Sequence, residues 1–403
     1  MAKIDDSIKK KVPELRFKGF TDDWEQRKLT EIVNRVNKSS NSDVLPKVEF
    51  EDIVSGEGRL NKDISSKFDS RKGTLFEPEN ILYGKLRPYL KNWLFSDFEG
   101  VALGDFWVFE ATDVSVPSFD YYLIQSDNYQ KVANDTSGTK MPRSDWKNVS
   151  STDFAIPSKD EQKQIGAFFK QLDNTIVLHQ RRLDLLKEQK KGYLQKMFPK
   201  NGAKVPELRF AGFADDWEER KLGEFSDVRD GTHASPKYVS QGHPMVTSKN
   251  LTHSGLDMTD VSFLTDEDFN EINKRSKVSI GDILFGMIGT IGNPVIVYRD
   301  DFAIKNVALI KEKTSTPITN KWLLQYLKSP SFNRFIQKEN AGGTQKFIAL
   351  GLIRDMKLRV PELDEQQKIG SFFKQLDNTI ALHQRKLDLL KEQKKGFLQK
   401  MFV

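Results

Sequence analysis

The segment IPSKDEQKQIGAFFKQLDNTIVLHQRRLDLLKEQKKGYLQKMF, residues 156–198, returns at residues 360–402 as VPELDEQQKIGSFFKQLDNTIALHQRKLDLLKEQKKGFLQKMF. The two copies agree at 34 of 43 positions. A long internal repeat is one structural unit used more than once, and overlooking it misassigns the whole architecture. The sequence therefore predicts an internally duplicated protein.

A second repeated pair, which we call the frame blocks, precedes these segments. It reads VPELRFKGFTDDWEQRKL at 12–29 and VPELRFAGFADDWEERKL at 205–222, whereas the inserts 30–155 and 223–359 barely resemble each other. A chain that keeps its frame and varies two inserts suggests a scaffold that presents two different recognition surfaces. We predict recognition domains at 1–155 and 199–359, and helical regions at 156–198 and 360–403.

Composition narrows the class of protein. The net charge is +6 and hydrophobic residues make up 37% of the chain, which is compatible with packed cores and with nucleic-acid binding. The first insert holds 15 basic and 20 acidic residues, so DNA binding there would need local basic patches. The absence of cysteine rules out disulfides and thiolate metal sites. Because the sequence shows neither a secretory signal nor a membrane-spanning segment, we expect a cytoplasmic protein.

The repeated segment has the pattern of a coiled-coil helix. Its apolar residues recur at alternating steps of four and three, the 3.5-residue period of a buried seam. A helix with an open seam needs a partner, and the other copy is the obvious one. Related by a pseudo-two-fold, the helices would pack antiparallel with the inserts at opposite ends. The seam positions are Ile165, Phe169, Leu172, Ile176, His179, Leu183 and Leu186 in the first copy, and Ile369, Phe373, Leu376, Ile380, His383, Leu387 and Leu390 in the second.

The two inserts share weak anchors that predict a common α+β fold. Each contains an I-L-[YF]-G strand, a helical run at Phe119–Val132 or Asn320–Gln337, and then a Gly-Thr loop. Basic side chains suit phosphate and guanine, and amide side chains suit adenine, although an ordinary solvated surface explains any one cluster equally well. The candidate DNA-binding residues are Lys85, Arg87, Lys91, Thr139, Lys140, Arg143 and Ser144 in the first insert, and Thr232, His233, Lys237, Lys249, Asn250, Thr344, Gln345 and Lys346 in the second.

Motifs of catalysis are missing from the sequence. It contains no GxxxxGK[ST] phosphate loop, no HExxH zinc motif and no GxSxG nucleophile elbow. With five histidines and no cysteine, no metal site with known ligand spacing can be assembled, and we expect none. His179 and His383 hold matching seam positions, where a hydrogen-bonded role is the expected one. We therefore predict a non-catalytic protein.

The twinned motifs resemble one family. They are P-E-L-R-F-x-G-F…W-E-x-R-K-L, the I-L-[YF]-G strand, the G-T-[KQ] loop and P-x-x-x-E-Q-x-x-I-G-x-F-F-x-x-L-D-x-x-I, all present twice. Together they cover nearly the whole chain and resemble the specificity subunit of a type I restriction–modification enzyme.

That resemblance implies a fold, an activity and a set of partners. The fold would be α+β, with two target-recognition domains joined by an antiparallel coiled coil. Each domain would read one half of a split sequence in double-stranded DNA, and the coil would set the gap. Two methyltransferase subunits would bring S-adenosylmethionine for adenine-N6 methylation. Restriction/translocase subunits would bring ATP and Mg, and this chain would hold no cofactor.

Two other interpretations remain open from the residues alone. One is a stand-alone DNA-binding adaptor or anti-restriction decoy that never joins a methyltransferase. The other is a coiled-coil scaffold whose inserts bind protein, for which no salt-dependent affinity for DNA is expected.

Overall fold

The computed structural model describes residues 12–65, 70–136, 140–200, 202–289, 291–313, 318–339 and 347–403. The chain forms two compact units, one from residues up to 180 together with 385–403, and the other from 181–384. None of the helices in the described ranges is apolar over a length that could cross a bilayer.

The first half of the chain begins with short strands and ends with the first long helix, whose residues after 180 belong to the second unit. Its elements are β1 (Glu25–Lys28), α1 (Leu29–Ile32), β2 (Val33–Val36), β3 (Ser39–Ser40), β4 (Lys47–Val48), β5 (Ile53–Val54), β6 (Arg59–Leu60), β7 (Gly73–Phe76), β8 (Ile81–Gly84), β9 (Trp93–Phe95), β10 (Gly100–Ala102), β11 (Phe106–Ala111), α2 (Pro117–Leu123), α3 (Asp127–Ala133), α4 (Trp146–Ser151), β12 (Asp153–Ile156) and α5 (Lys159–Lys196).

The second half of the chain repeats this plan and ends with the second long helix, whose residues from 385 on belong to the first unit. Its elements are β13 (Glu218–Lys221), α6 (Leu222–Phe225), β14 (Ser226–Asp230), β15 (Tyr238–Val239), β16 (His243–Val246), β17 (Leu251–Thr252), β18 (Gly255–Leu256), β19 (Ser262–Leu264), α7 (Asp266–Ser276), β20 (Ile283–Gly286), β21 (Gly292–Ile296), β22 (Ala303–Ile304), β23 (Val307–Glu312), α8 (Asn320–Lys328), α9 (Pro330–Glu339), α10 (Leu350–Asp355), β24 (Lys357–Val360) and α11 (Leu363–Met401).

One four-stranded sheet corresponds strand for strand between the units, whereas the other differs in strand order: β10, which precedes β11, is an internal strand, and β22, which precedes β23, is an edge strand. The order β2-β11-β8-β9 in the first unit matches β14-β23-β20-β21 in the second, and each of these sheets has four strands. A second four-stranded sheet, β3-β7-β10-β4 or β15-β19-β16-β22, contains the parallel pair β10–β4 or β16–β22. The predicted α+β fold with an internal repeat is confirmed, although the inserts share almost no sequence.

The predicted helical runs at Phe119–Val132 and Asn320–Gln337 are each interrupted. The first is divided into α2 and α3 and the second into α8 and α9, so each run is helical, as predicted, but contains a break that the sequence reading did not place. At the break, Ser126 Oγ accepts a hydrogen bond from Tyr129 N (3.3 Å). Ser329 Oγ accepts the equivalent bond from Phe332 N (3.4 Å). Serine is a strong helix N-cap, so it starts a new helix rather than continuing the old one.

The long helices pack in opposite directions within each unit. In the first unit, the Phe168 and Phe397 ring centroids are 5.1 Å apart, and Asp173 Oδ1 lies 2.7 Å from Lys394 Nζ. From one contact to the next, the residue number increases along α5 and decreases along α11, so the two helices pack antiparallel. In the second unit, Lys190 Nζ lies 2.5 Å from Asp377 Oδ1. Of the seam positions, Ile165, Phe169, Leu183, Leu186, Ile369, Phe373 and Leu387 are buried, and Leu172, Ile176, His179, Leu376, Ile380, His383 and Leu390 are half-buried.

The frame blocks hold each recognition module, by which we mean the α+β part of one unit outside the long helices, to those helices through a buried ion pair. The Arg16 guanidinium donates two 2.7 Å bonds to the carboxylate of Glu161, which is fully buried at the start of α5. Arg209 binds Glu365 in the same way, at 2.7 and 2.8 Å. Hydrogen bonding to Glu161 raises the pKa of Arg16. Because a buried carboxylate without its partner is strongly destabilising, these pairs specify where each frame block must dock.

Candidate nucleic-acid interface

The best-defined candidate contact surface of the first module is a pair of loops at one end of its central sheet. The loop after β8 meets the segment before α4, with Leu86 and Arg143 paired as an isolated antiparallel bridge. Ser144 N donates to Lys85 O at 2.8 Å, and Arg87 N donates to Pro142 O at 2.7 Å. Two basic clusters that lie about sixty residues apart in the sequence therefore form one surface, which we call the first reading edge.

A carboxylate organises the charges of this edge. Asp105 Oδ2 accepts a hydrogen bond from Arg143 Nη2 at 2.9 Å, while Asp105 Oδ1 lies 3.7 Å from Lys85 Nζ. The hydrogen bond that Arg143 donates to Asp105 raises the pKa of Arg143, whose side chain is 51% exposed. Since an arginine has donors beyond those bound to Asp105, Arg143 is oriented by one partner and still able to bind a phosphate or a guanine edge.

The turn at 87–91 carries backbone strain next to this edge. Arg87 (φ 49°) and Lys91 (φ 56°) are both left-handed and flank a single 3₁₀ turn at Pro88–Leu90. Positive φ at non-glycine residues is uncommon and clusters at functional sites. The strained turn exposes Tyr89, at 57%, between two basic residues. Lys91 also lines a cleft beside the long helices, together with Trp93 and Lys394.

The second module has the same loop pair with different chemistry. Ile288 and Phe347 form the isolated bridge, and Ile348 N donates to Met287 O at 3.0 Å, as Ser144 does to Lys85. Both bridge residues are large and exposed, Ile288 at 38% and Phe347 at 50%. This second reading edge therefore presents apolar side chains where the first presents a cation. Apolar groups contact the thymine methyl or wedge between base steps.

A second polar group in this module centres on His233. His233 Nε2 is 2.8 Å from Asp230 Oδ2, and His233 Nδ1 is 2.7 Å from Asn306 Oδ1. Hydrogen bonds to Asp230, then Asn306, raise the pKa of His233 above its usual 6.5. Because both ring nitrogens face oxygen acceptors, the protonated imidazolium is favoured. Thr232 lies in the same group, bridged to Lys305.

Two predicted contact residues make structural hydrogen bonds. Ser144 is buried and its hydroxyl donates to Ala133 O at 2.7 Å. Asn250 is also buried. Its Oδ1 accepts a hydrogen bond from Thr247 N (2.9 Å), and its Nδ2 donates to the carbonyl oxygens of Asp257 and Asp260 (3.1 and 2.9 Å). Both side chains are buried and hydrogen-bonded within their own module, and contact of either with DNA stays a prediction.

The other predicted residues fall into two groups. Lys140, Lys237 and Lys249 are exposed, and Lys249 Nζ bonds Asp260 Oδ2 at 2.9 Å. Thr139, Thr344, Gln345 and Lys346 lie outside the described residues. The exposed residues stay predictions, as do the four in the Gly-Thr loops.

A separate surface lies on the outside of the long helices. Leu178 follows Asp173 by five residues and Leu389 precedes Lys394 by five, so both leucines lie at one level of the antiparallel pair in the first unit. They are 67% and 58% exposed. In the second unit, Leu185 and Leu382 occupy the equivalent positions, five residues from Lys190 and from Asp377, and are 48% and 62% exposed. Each unit therefore carries one pair of exposed leucines, and the two pairs are copies of one another.

A family model matches the sequence of this chain, whose two repeated frame blocks accompany two unlike reading edges. The model described as "Type I restriction modification DNA specificity domain" matches residues 21–188 and again 214–392. The chain belongs to this family of specificity subunits. The double match gives the specificity subunit two DNA-recognition domains, each of which includes one recognition module and part of a long helix.

Named relatives and solved structures agree with this assignment. The subunit is 24% identical over 297 residues to the type I restriction enzyme MjaVIII specificity subunit of Methanocaldococcus jannaschii, covering 69% of this chain and 68% of that one. The putative MjaX specificity subunit of the same organism is 22% identical over 249 residues, and the match spans only 56% of its length and 60% of this chain.

Among solved structures, the type I restriction–modification S subunit from M. genitalium matches with a TM-score of 0.64 at 15% identity, covering 97% of this chain and 99% of that one. A chain from a study of complex assembly and conformational transition of the type I R-M system matches with a TM-score of 0.54 at 18% identity, covering 93% and 96%. At these identities the likeness concerns the fold.

Sequence reasoning missed several residues at the candidate contact sites of the specificity subunit. Asp105 and Asn306 orient the cationic groups but are separated from them by 38 and 73 residues in the chain. The sequence carried one weak signal for Asn306, because asparagine tolerates the left-handed conformation that this residue adopts (φ 56°). Gly104 holds the equivalent place before a strand in the first module, with φ 83°.

Proposed function

We propose that this specificity subunit reads a bipartite sequence in duplex DNA, one half with each module, while the paired helices set the gap between the halves. One observation carries the proposal: the same loop pair, at the same end of the same sheet, presents Arg143 in one module and Phe347 in the other. A frame that keeps the backbone and changes the chemistry is suited to reading two unlike half-sites.

The magnitudes are adequate for sequence-specific binding. A good bidentate contact to a base discriminates by about 1–3 kcal/mol. A few contacts per module therefore reach the roughly 4–10 kcal/mol that separates specific from non-specific binding. The 38 residues of α5, at about 1.5 Å each, span about 57 Å, which exceeds one helical turn of DNA. Half-sites separated by a gap of several base pairs are therefore geometrically accessible.

The test of DNA reading uses a double variant, Lys85→Ala with Arg143→Ala. Sequencing of methylated bases in the native host first identifies the two half-sites. Competition binding then compares duplexes altered in either half. We expect the variant to lose about 1–3 kcal/mol of discrimination at one half-site and none at the other.

The matched control is Arg27→Ala, because Arg27 is also partly exposed (34%) and paired, to Glu25, but lies on the frame strand β1. An equal loss of discrimination at both half-sites in the double variant, or the same loss in the control, would contradict the assignment of the edge.

The proposal extends to partners. The identical leucine pairs suit two copies of one protein, and two methyltransferase subunits are the partners expected for this family. Those subunits would supply S-adenosylmethionine and the chemistry on adenine, and restriction/translocase subunits would add ATP and Mg. The specificity subunit would position them without catalysing any step.

Copurification tests this part of the proposal. We expect two methyltransferase subunits per wild-type chain, and loss of both in a chain carrying Leu178→Asp and Leu382→Asp. Gln189→Asp, an exposed change on the same helix, should leave the stoichiometry intact. A wild-type chain that binds its DNA target but captures no methyltransferase would instead support the stand-alone adaptor.

A further inference from the structure

The two units differ at one charged position beside the long helices. In the first unit, Lys394 Nζ contacts Asp173 Oδ1 at 2.7 Å and Gln125 Oε1 at 3.1 Å. Gln125 immediately precedes Ser126, the serine that caps α3. The charges of Lys394 and Asp173 therefore neutralise each other, and the third member of the group, the Gln125 amide, is uncharged.

In the second unit the amide is replaced by a second cation. Lys190 pairs with Asp377 at 2.5 Å, as Lys394 does with Asp173. Lys328, rather than a glutamine, precedes the capping Ser329. Two lysines therefore share one carboxylate, and one positive charge is left over.

The surplus charge is on a half-buried side chain. Within the part of the chain that the structure describes, Lys328 has no hydrogen bond and no ion pair. Burial, then the charge of Lys190, lowers the pKa of Lys328, and Asp377 only partly offsets this. A poorly solvated cation is unfavourable unless an anion or hydrogen-bond acceptor accompanies it.

The space beside Lys328 is large and basic. Lys328 opens onto a cleft of about 720 Å³ in the second unit. Its other ionisable lining residues are Lys187, Glu188, Lys190, Lys191, His253 and Asp377. Four lysines therefore face two carboxylates. Lysine is a common phosphate ligand because its ammonium is a compact charge with three donors.

We propose that this cleft binds a phosphate-type oxyanion, with Lys328 and Lys190 as its main ligands, and that the equivalent pair of the first unit, Gln125 and Lys394, does not form such a site. The anion would complete the charge set that Gln125 makes unnecessary in the first unit. The same chemistry is offered by a backbone phosphate of DNA and by a free phosphate ion. The DNA source rests on the proposed function, whereas the free-ion source does not.

The first experiment titrates inorganic phosphate into the full chain at constant ionic strength, followed by calorimetry and ³¹P line width. We expect one site in the wild type, about tenfold or more weaker in Lys328→Gln. The converse variant, Gln125→Lys, should create a second site in the first unit. Lys328→Gln should unfold at the same or a higher temperature than wild type, because it removes a poorly solvated charge. If it does not fold, Lys328→Met serves the same purpose.

The second experiment measures affinity for target duplex as a function of salt concentration. A backbone phosphate in the cleft predicts that Lys328→Gln lowers the slope of log K against log[salt] by about one, while Lys200→Gln, an exposed lysine paired with Glu207, leaves it unchanged. Phosphate binding with an unchanged slope would identify the free ion as the ligand. If Lys328→Gln alters neither phosphate affinity nor the slope, the anion site is wrong. A wild type that binds phosphate at this site but not DNA would overturn the proposed function and leave the site intact.

Discussion

The sharpest prediction concerns Gly166, the glycine of the repeated I-G-x-F-F motif. A Cβ atom at Gly166 would lie 2.9 Å from Ser118 Cβ and 3.1 Å from Phe119 N, where the module helix α2 crosses α5. Carbon atoms normally approach to about 3.5–4.0 Å, so Gly166→Ala must push the two helices apart. A Cβ atom at the equivalent Gly370 would lie 3.0 Å from both Lys321 Cβ and Trp322 N. The motif therefore keeps a glycine at each point of close approach.

The magnitude follows from two opposing terms. Overpacking of this kind destabilises by about 1–3 kcal/mol. Alanine also gains about 1 kcal/mol over glycine in a helix interior. Gly192 lies on the same helix, and a methyl group added there would have nothing within 4 Å, so Gly192→Ala has the gain without the clash. We expect Gly192→Ala to be about 1 kcal/mol more stable than wild type, and Gly166→Ala to lie about 1–3 kcal/mol below Gly192→Ala.

Equilibrium urea unfolding of the three proteins measures these differences as shifts in midpoint at constant slope. The comparison between the variants removes the propensity term that they share. Equal stabilisation by both substitutions would refute the close approach, and with it the idea that the repeated motif serves to dock the module on the helix.

Three further predictions concern folding and pH. Trp217→Phe removes a 3.0 Å bond to a buried carboxylate and, in urea unfolding, should destabilise by about 1.5–3 kcal/mol more than Trp24→Phe, which loses the same volume from a buried site but whose indole nitrogen has no partner among described residues. Leu183→Asp places a charge in the seam and should abolish folding, while Leu185→Asp on the exposed face should keep the wild-type circular dichroism spectrum; a folded Leu183→Asp protein would show that the seam is not buried. The pKa of His233 is raised, so its charge is present below that value and is lost as pH rises through it; affinity for the second half-site should fall over that range, and His233→Gln should remove the dependence.

The helices were predictable because their signal is local. A period of 3.5 residues and a near-identical second copy specify the seam without any knowledge of tertiary structure. The breaks at Ser126 and Ser329 were missed because an apolar pattern continues across each serine. At Ser329 the sequence did carry a signal, since a serine followed by a proline is typical of an N-cap and the first residue of a helix. The common fold of the inserts was visible only in short anchors, since packing preserves patterns of burial more than identities.

The candidate interface was less accessible from the sequence. Its basic residues could be chosen by type, but their assembly depends on contacts such as Leu86 with Arg143, which are distant in the chain. The same limit applies to Glu161. Glu161 stands in the repeated P-x-x-x-E-Q motif, yet its partner Arg16 lies 145 residues away, so its role as an anchor became clear only in three dimensions.

The duplicated anchors also create an ambiguity during folding. The frame blocks are nearly identical, so Arg16 has no chemical reason to choose Glu161 over Glu365. For the internal block the tether decides, because Leu208 donates to Lys196 O only twelve residues back. The first block makes the equivalent bond, from Leu15 to Lys400 O, with no short tether to enforce it. Crowded nascent chains can therefore exchange their leading segments, and head-to-tail swapped oligomers are the characteristic misassembly of this architecture.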